Sequence, residues 1–152
     1  MGDLPGGIVG KRGSYRPRGH NRPMNDGRSP AIRVTLMPKD TNVHGTIFGG
    51  VLLSYIDLAA AVAARAHCDL MVTVKMNEVV FHEPVFVGDL VSFYADVVRI
   101  GNTSITMKVT VEAQRWRDAG EAVKVTEAEV VYVNVDEKRR PTPITRRKIV
   151  EA

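Results

Sequence analysis

Gly49-Gly50-Val51-Leu52-Leu53-Ser54-Tyr55-Ile56-Asp57-Leu58-Ala59-Ala60-Ala61 opens the long apolar segment of the chain, which runs on to about His67. Alanine and leucine are the best helix formers, so the stretch predicts a single helix of roughly five turns. It is apolar nearly all round, which predicts a helix buried in a core rather than lying on a surface. Everything after it reads as strand: Met71 to Val80, then Leu90 to Ile100, with Pro84 and Gly88-Asp89 marking the turn between them. Gly101-Asn102 is a hairpin signal. From Ser104 to Trp116 the residues alternate, with Ile105, Met107, Val109 and Val111 on one face and Thr106, Lys108, Thr110 and Glu112 on the other. Asp118-Ala119-Gly120 is the next turn, Val123 to Val135 the last long strand, and Pro141 and Pro143 end regular structure. Before the helix, Ile32-Arg33-Val34-Thr35-Leu36 alternates as a short strand closed by Pro38, and Lys39 to Thr46 is a polar loop. A helix against a set of antiparallel strands is an α+β arrangement.

The chain has 152 residues, 44% hydrophobic and 25% charged, the size and composition of one ordinary domain. Its formal charge is +4, which invites a nucleic-acid reading. The distribution argues against it. Residues 1–30 hold six Lys/Arg and two Asp/Glu, residues 137–152 hold six and two, and residues 31–136 between them hold nine and thirteen. The body is therefore acidic and only the ends are basic. Gly, Pro, Arg, Asn and Asp dominate residues 1–30, which predicts a solvated, flexible tail; the alternative is a basic arm touching a phosphate or a neighbouring subunit. The expected division is a tail over 1–30, one domain over 31–143 and a basic C-terminal tail over 144–152. A single cysteine, Cys68, excludes an intrachain disulfide and a multi-cysteine zinc site. With no signal-peptide pattern and no apolar run of spanning length, a cytoplasmic setting is expected.

The segment Asp40-Thr41-Asn42-Val43-His44-Gly45-Thr46-Ile47-Phe48-Gly49-Gly50, continued by Val51 to Asp57, resembles the signature of hotdog-fold acyl-CoA thioesterases, in particular the YciA-like and cytosolic acyl-CoA hydrolase group. Further matches are Ala63 to Cys68, Val72-Thr73-Val74, Phe81-His82-Glu83-Pro84-Val85, Val87-Gly88-Asp89, and Gly101-Asn102-Thr103-Ser104, which resembles the coenzyme-A loop. The resemblance covers roughly residues 33–143. It implies a long helix wrapped by a curved antiparallel sheet, a dimer with active sites at the subunit interface, and assembly to a hexamer or a tetramer. It also implies an acyl-CoA substrate and no cofactor beyond the coenzyme A of the substrate.

Thioester hydrolysis needs a carboxylate, a donor for the oxyanion and a grip on the coenzyme. Asp57 is the candidate general base or nucleophile, since a charge within an apolar helix is costly unless it has a task or a partner; a structural pairing is the competing reading. The amide of Gly50, at the helix start, is the candidate oxyanion donor, with Gly49 beside it. Before Ile47-Phe48-Gly49-Gly50 many relatives carry Asp and others Asn, whereas this chain has Thr46. A hydroxyl can orient water but is no base at neutral pH. That shifts the burden to Asp57, with Asn42 positioning water or shaping its loop through an Asx turn. Substrate-binding candidates are Gly49, Phe48, Lys75, Gly101, Asn102, Thr103 and Ser104, with Tyr55 along the acyl path and Arg65, Arg139 and Arg140 as weaker basic partners. His44, His67 and His82 are read as lining or scaffold residues. The four histidines show no ligand spacing, so no metal is expected. Cys68 lacks a paired base and Ser54 a nucleophile elbow.

The leading reading is an acyl-CoA thioesterase. Its rival is a non-catalytic acyl-CoA-binding or sensor protein on the same scaffold, motivated by Thr46. An enoyl-CoA hydratase and a nucleic-acid binder acting through the tails rank lower, and no membrane partner is expected.

Overall fold

The computed structural model describes residues 22–23, 27–117 and 121–145. Its elements are β1 (Arg22–Pro23), β2 (Ile32–Thr35), a 3-10 turn (Pro38–Asp40), α1 (Gly49–Ala64), β3 (Met71–Phe81), β4 (Leu90–Ile100), β5 (Ser104–Gln114) and β6 (Glu121–Asn134). All strand pairs are antiparallel. The sheet runs β2–β4–β5–β6, and β3 together with the two-residue β1 occupies the far edge of β6.

The alternation in β5 explains where the core lies. Ile105, Met107, Val109 and Val111 are fully buried, with Val91 and Phe93 of β4 and Val125 and Val130 of β6. On α1 the buried residues are Leu52, Ile56, Ala59, Ala60 and Ala64, the spacing of one helix face. Alanines at the closest approach let the helix lie near the sheet.

The expectation of a helix buried all round does not hold. Leu58 is 53% and Val62 45% exposed. One chain's sheet covers one side of α1, and among the described residues nothing covers Leu58 and Val62 on the other. Apolar residues also stand exposed along β3, among them Val72, Val74, Val80 and Phe81. Among the described residues this strand pairs with β6 alone and so lies at the sheet's edge.

Two further readings are refined. Glu112 keeps the face of Thr110, since the β4–β5 register runs unbroken from Tyr94 opposite Thr110 to Ser92 opposite Glu112, but it is buried there. The register shift between Val111 and Glu112 in the β5–β6 pairing places the extra residue, Val125, in β6. The carboxylate is satisfied by Arg28 Nη2 at 2.8 Å, and that guanidinium stands 4.0 Å over the Tyr94 ring. The second concerns the β4–β5 hairpin. It forms, but Gly101 and Asn102 are not among the residues with positive φ, so a primed two-residue turn is not used. Instead Gly101 N–H donates to Ser104 O, and tertiary bonds hold the loop: Asn134 N–H to Thr103 O and Ile144 N–H to Asn102 O, each at 2.7 Å.

Arg28 and β1 draw the end of the basic 1–30 segment onto the sheet. The rest of that segment, including His20, lies outside the described residues, as do the Asp118-Ala119-Gly120 turn and residues 146–152. Among the described residues no helix is long and apolar enough to cross a membrane.

Candidate active site

The loop entering α1 is built by Asn42. Its Oδ1 accepts from His44 N–H at 2.9 Å and Thr46 N–H at 3.3 Å, and its Nδ2 donates to Thr46 Oγ1 at 2.9 Å. This is an Asx turn extended by one side-chain bond. Gly45, at φ 77, supplies the left-handed residue the turn requires. Ile47 N–H then bonds to Val85 O, and Phe48 N–H to Asp40 O, each at 2.8 Å. These bonds seat the helix start against the β3–β4 connection.

Phe48 is the N-cap of α1 and makes no side-chain cap bond. The Gly49 and Gly50 amides belong to the first turn, whose N–H groups have no intrahelical acceptor and carry partial positive charge. A Cβ at Gly50 would collide with the Phe48 ring. A cavity of about 400 Å³ opens here, lined by Thr46, Ile47, Gly49, Leu52, Phe81, His82, Glu83, Pro84 and Val85.

Asp57 lies two turns further along α1, half-buried rather than enclosed. Its Oδ1 accepts from Tyr132 Oη and from Thr73 Oγ1, both at 2.9 Å. Tyr132 Oη also reaches the Asp57 carbonyl oxygen. Two hydroxyl donors thus answer the cost of placing a carboxylate on an apolar helix. Asp57 borders a groove of about 610 Å³ with Asp40, Val51, Ser54, Tyr55, Leu58 and Ala61. Seven residues separate it from Gly50, about 10 Å along the helix axis at 1.5 Å per residue. Within one chain, then, Thr46 and Gly49 line one cavity and Asp57 another.

Tyr132 and Thr73 were not among the expected site residues. A signal for Tyr132 existed: it continues the inward phase of β6 after Ala128 and Val130, and a phenol placed there needs a hydrogen-bond partner. Nothing local marks Thr73. His82, expected as a scaffold residue, lines the first cavity beside Glu83. His82 Nε2 lies 3.2 Å from Glu127 Oε1, and Glu127 also pairs with Lys124 and Lys108. The Lys124 hydrogen bond above all, with help from His82 and Lys108 and against the effect of burial, lowers the Glu127 carboxyl to about 2.

The remaining candidates fall elsewhere. Tyr55 stacks on Phe93 with centroids 5.5 Å apart, and Phe48 is exposed. Ser54 Oγ donates to Val51 O. His44 is exposed. Cys68 is buried, and burial pushes its thiol up, away from the thiolate a nucleophile needs. Lys75 is exposed on β3 and Arg65 at the end of α1. In the Gly101–Ser104 loop, Gly101 N–H is spent on Ser104 O, while Asn102 is exposed. Residues 141–144 fold back against this loop through the Ile144–Asn102 bond. Arg139 is exposed just before them, and Arg140 Nε pairs with Asp136 Oδ2 at 2.9 Å. No group of three or more His, Cys, Asp or Glu among the described residues is placed to hold a metal ion.

The sequence profile of the thioesterase superfamily matches residues 44–117, which span the Asn42 loop's end, α1 and the sheet through β5. The Escherichia coli acyl-CoA thioester hydrolase YciA is 39% identical over 80% of this chain and 92% of its own length. This chain belongs to the YciA-like branch of the thioesterase superfamily. An uncharacterized acyl-CoA thioester hydrolase of Zymomonas mobilis is 42% identical over 82% of this chain and 84% of its own. The fold of this YciA-like chain is the hotdog. A hexameric hotdog-fold thioesterase of Campylobacter jejuni superposes with a TM-score of 0.74 at 46% identity, covering 79% of this chain and 92% of its own.

Proposed function

We propose that this YciA-like chain hydrolyses acyl-CoA to a free carboxylic acid and coenzyme A, with Asp57 as the reacting carboxylate. The observation that carries the reading is the state of Asp57. Both hydroxyl donors fall on Oδ1, and the residue borders a largely apolar groove suited to an acyl chain. Acting as general base, the carboxylate takes a proton from water while the oxygen of that water adds to the thioester carbonyl carbon. Acting as nucleophile, it adds to that carbon itself, and water then cleaves the resulting anhydride. Either way the carbonyl oxygen becomes an oxyanion, for which the Gly50 amide is a fitting donor. Collapse expels the coenzyme-A thiolate, which takes up a proton.

About 10 Å of helix separates Asp57 from Gly50 in one chain, too far for both to touch one thioester. We therefore assign the complete site to a pair of chains. One chain supplies Asp57, and its neighbour supplies Gly49 and Gly50 with Asn42 and Thr46 behind them. The exposed side of α1 and the apolar edge of β3 are the surfaces such a pair would bury, and the hexameric assembly of the Campylobacter jejuni relative supports a hexamer over a tetramer. Phe48 and Tyr55 border the acyl path, and Lys75 with Asn102, Thr103 and Ser104 contacts the coenzyme. The catalytic domain is residues 31–143, with basic segments on both sides and a cytoplasmic setting.

The test is thiol release from a panel of acyl-CoAs by wild type and Asp57→Asn. The amide still accepts at Oδ1 from Tyr132 and Thr73, so the fold and oligomer should persist while kcat falls by about 10²- to 10⁴-fold. An unchanged kcat removes Asp57 from the mechanism. The second reading, acyl-CoA binding without hydrolysis, draws on Thr46, a hydroxyl where many relatives carry an acid. Tight binding with no thiol release by wild type across the panel would establish it.

A further inference from the structure

Tyr132 comes from the middle of the sheet to meet Asp57. It pairs with Ile105 of β5 on one side and with Thr73 of β3 on the other, and its residue is 2% exposed. Its hydroxyl touches two acceptors of one residue, the Asp57 carbonyl oxygen at 2.5 Å and Oδ1 at 2.9 Å. The carbonyl contact fixes the hydroxyl relative to the helix axis. Once it is fixed, only a side-chain rotamer that brings Oδ1 to the hydroxyl keeps the second bond. An aspartate on a helix has two rotamers open to it, and this contact selects between them. Among the described residues no hydrogen bond falls on Oδ2.

We propose that Tyr132 is a positioning residue: its hydroxyl sets the rotamer of the Asp57 carboxylate and leaves Oδ2 to act on water or on the thioester. The inference rests on the assignment of Asp57 as the reacting carboxylate. Burial first, and the Asp57 carboxylate second, raise the Tyr132 phenol, so it stays protonated and donating. The groups around Asp57 are Tyr132 from β6, Thr73 from β3, Tyr55 from α1 itself, and Asp40, which borders the same groove. Thr73 shares the load on Oδ1, but it sits exposed on β3 and donates to Oδ1 and not to the Asp57 carbonyl, so it does not supply the fixed reference.

Tyr132→Phe removes one oxygen and keeps the ring in the core. Loss of a hydrogen bond to a charged group predicts a fall in kcat of roughly tenfold to a hundredfold with KM within about twofold. The melting temperature and oligomeric state report separately on the fold. In a cycle with Asp57→Asn, a residue acting through Asp57 should be non-additive: Tyr132→Phe should cost much less in the Asn background. An unchanged kcat overturns the proposal. So does a loss that is the same in both backgrounds, or a loss that merely follows the melting temperature. If Asp57→Asn alone retains full activity, the assignment of Asp57 fails first and the role of Tyr132 falls with it.

Discussion

Asn42 and Thr46 are joined by three hydrogen bonds: Asn42 N–H to Thr46 O at 2.8 Å, Asn42 Nδ2 to Thr46 Oγ1 at 2.9 Å, and Thr46 N–H to Asn42 Oδ1 at 3.3 Å. The Asn42 amide is thereby engaged within the loop that presents the start of α1. Thr46 Oγ1, having accepted that bond, keeps its own proton to donate.

Thr46→Asp should keep this loop, because Asn42 Nδ2 can donate to a carboxylate as well as to a hydroxyl. It restores an acid beside the helix start, and kcat should rise at least tenfold over wild type at neutral pH. Asn42→Ala should do the opposite. It leaves two loop N–H groups without their acceptor and should cost about 1–3 kcal/mol of stability together with most of the activity. Chemical denaturation and thiol release measure the two effects; an Ala variant of wild-type stability would mean the loop holds itself.

The turn leading into β4 depends on an ion pair largely withdrawn from solvent. Asp89 Oδ2 accepts from Arg115 Nη1 at 2.5 Å and from Phe86 N–H at 3.0 Å, while Arg115 also donates to Pro84 O. The side chains are 3% and 12% exposed. Asp89→Ala leaves the guanidinium in that setting without its carboxylate and should destabilise by about 3–5 kcal/mol in urea unfolding. Pro84 and Val85 line the Gly49 cavity, so activity should fall with stability.

Glu127 gives the fold a pH dependence of definite sign. Its folded carboxyl is lowered from 4.5 to about 2, chiefly by Lys124. A carboxylate of depressed pKa stabilises fully above its unfolded value and loses that contribution as pH falls through the folded one. Wild type should therefore exceed Glu127→Gln in stability at pH 6, and the gap should close between about pH 4.5 and pH 2. Unfolding midpoints of the two proteins across that range provide the measurement; a constant gap contradicts the assignment.

Glu78 has φ 52, within the irregular stretch between Asn77 and Val80 where β3 slips against β6. A side chain in this left-handed region costs about 1–2 kcal/mol, and glycine loses about 0.5–1 kcal/mol of that gain to its greater freedom when unfolded. Glu78→Gly should raise stability by about 0.5–1 kcal/mol, read as an increase in melting temperature. A decrease would show that the Glu78 side chain contributes more than the backbone costs.

The sequence by itself determined the order of elements and the core. The apolar run after Gly49-Gly50 commits to one helix, and the period-2 pattern of Ile105, Met107, Val109 and Val111 commits to a strand with one buried face, because local patterns suffice where burial follows the period of the backbone. Asp57, Asn42 and the two glycines stood out as candidates for the same reason, since their types and spacing are local. The tertiary structure decided what depends on register. Arg28, 84 residues from Glu112, settles over Tyr94 and covers the Glu112 carboxylate on the face that the alternation leaves outward. The pairing of β3 with β6 set Thr73 opposite Tyr132, and the packing of α1 on that sheet carried both hydroxyls to Asp57 Oδ1. It also left the Leu58 and Val62 side of the helix exposed among the described residues. Tyr132 and Asp57 are 75 residues apart in the chain, and contacts at such separations follow from strand pairing and helix packing, which no local periodicity encodes.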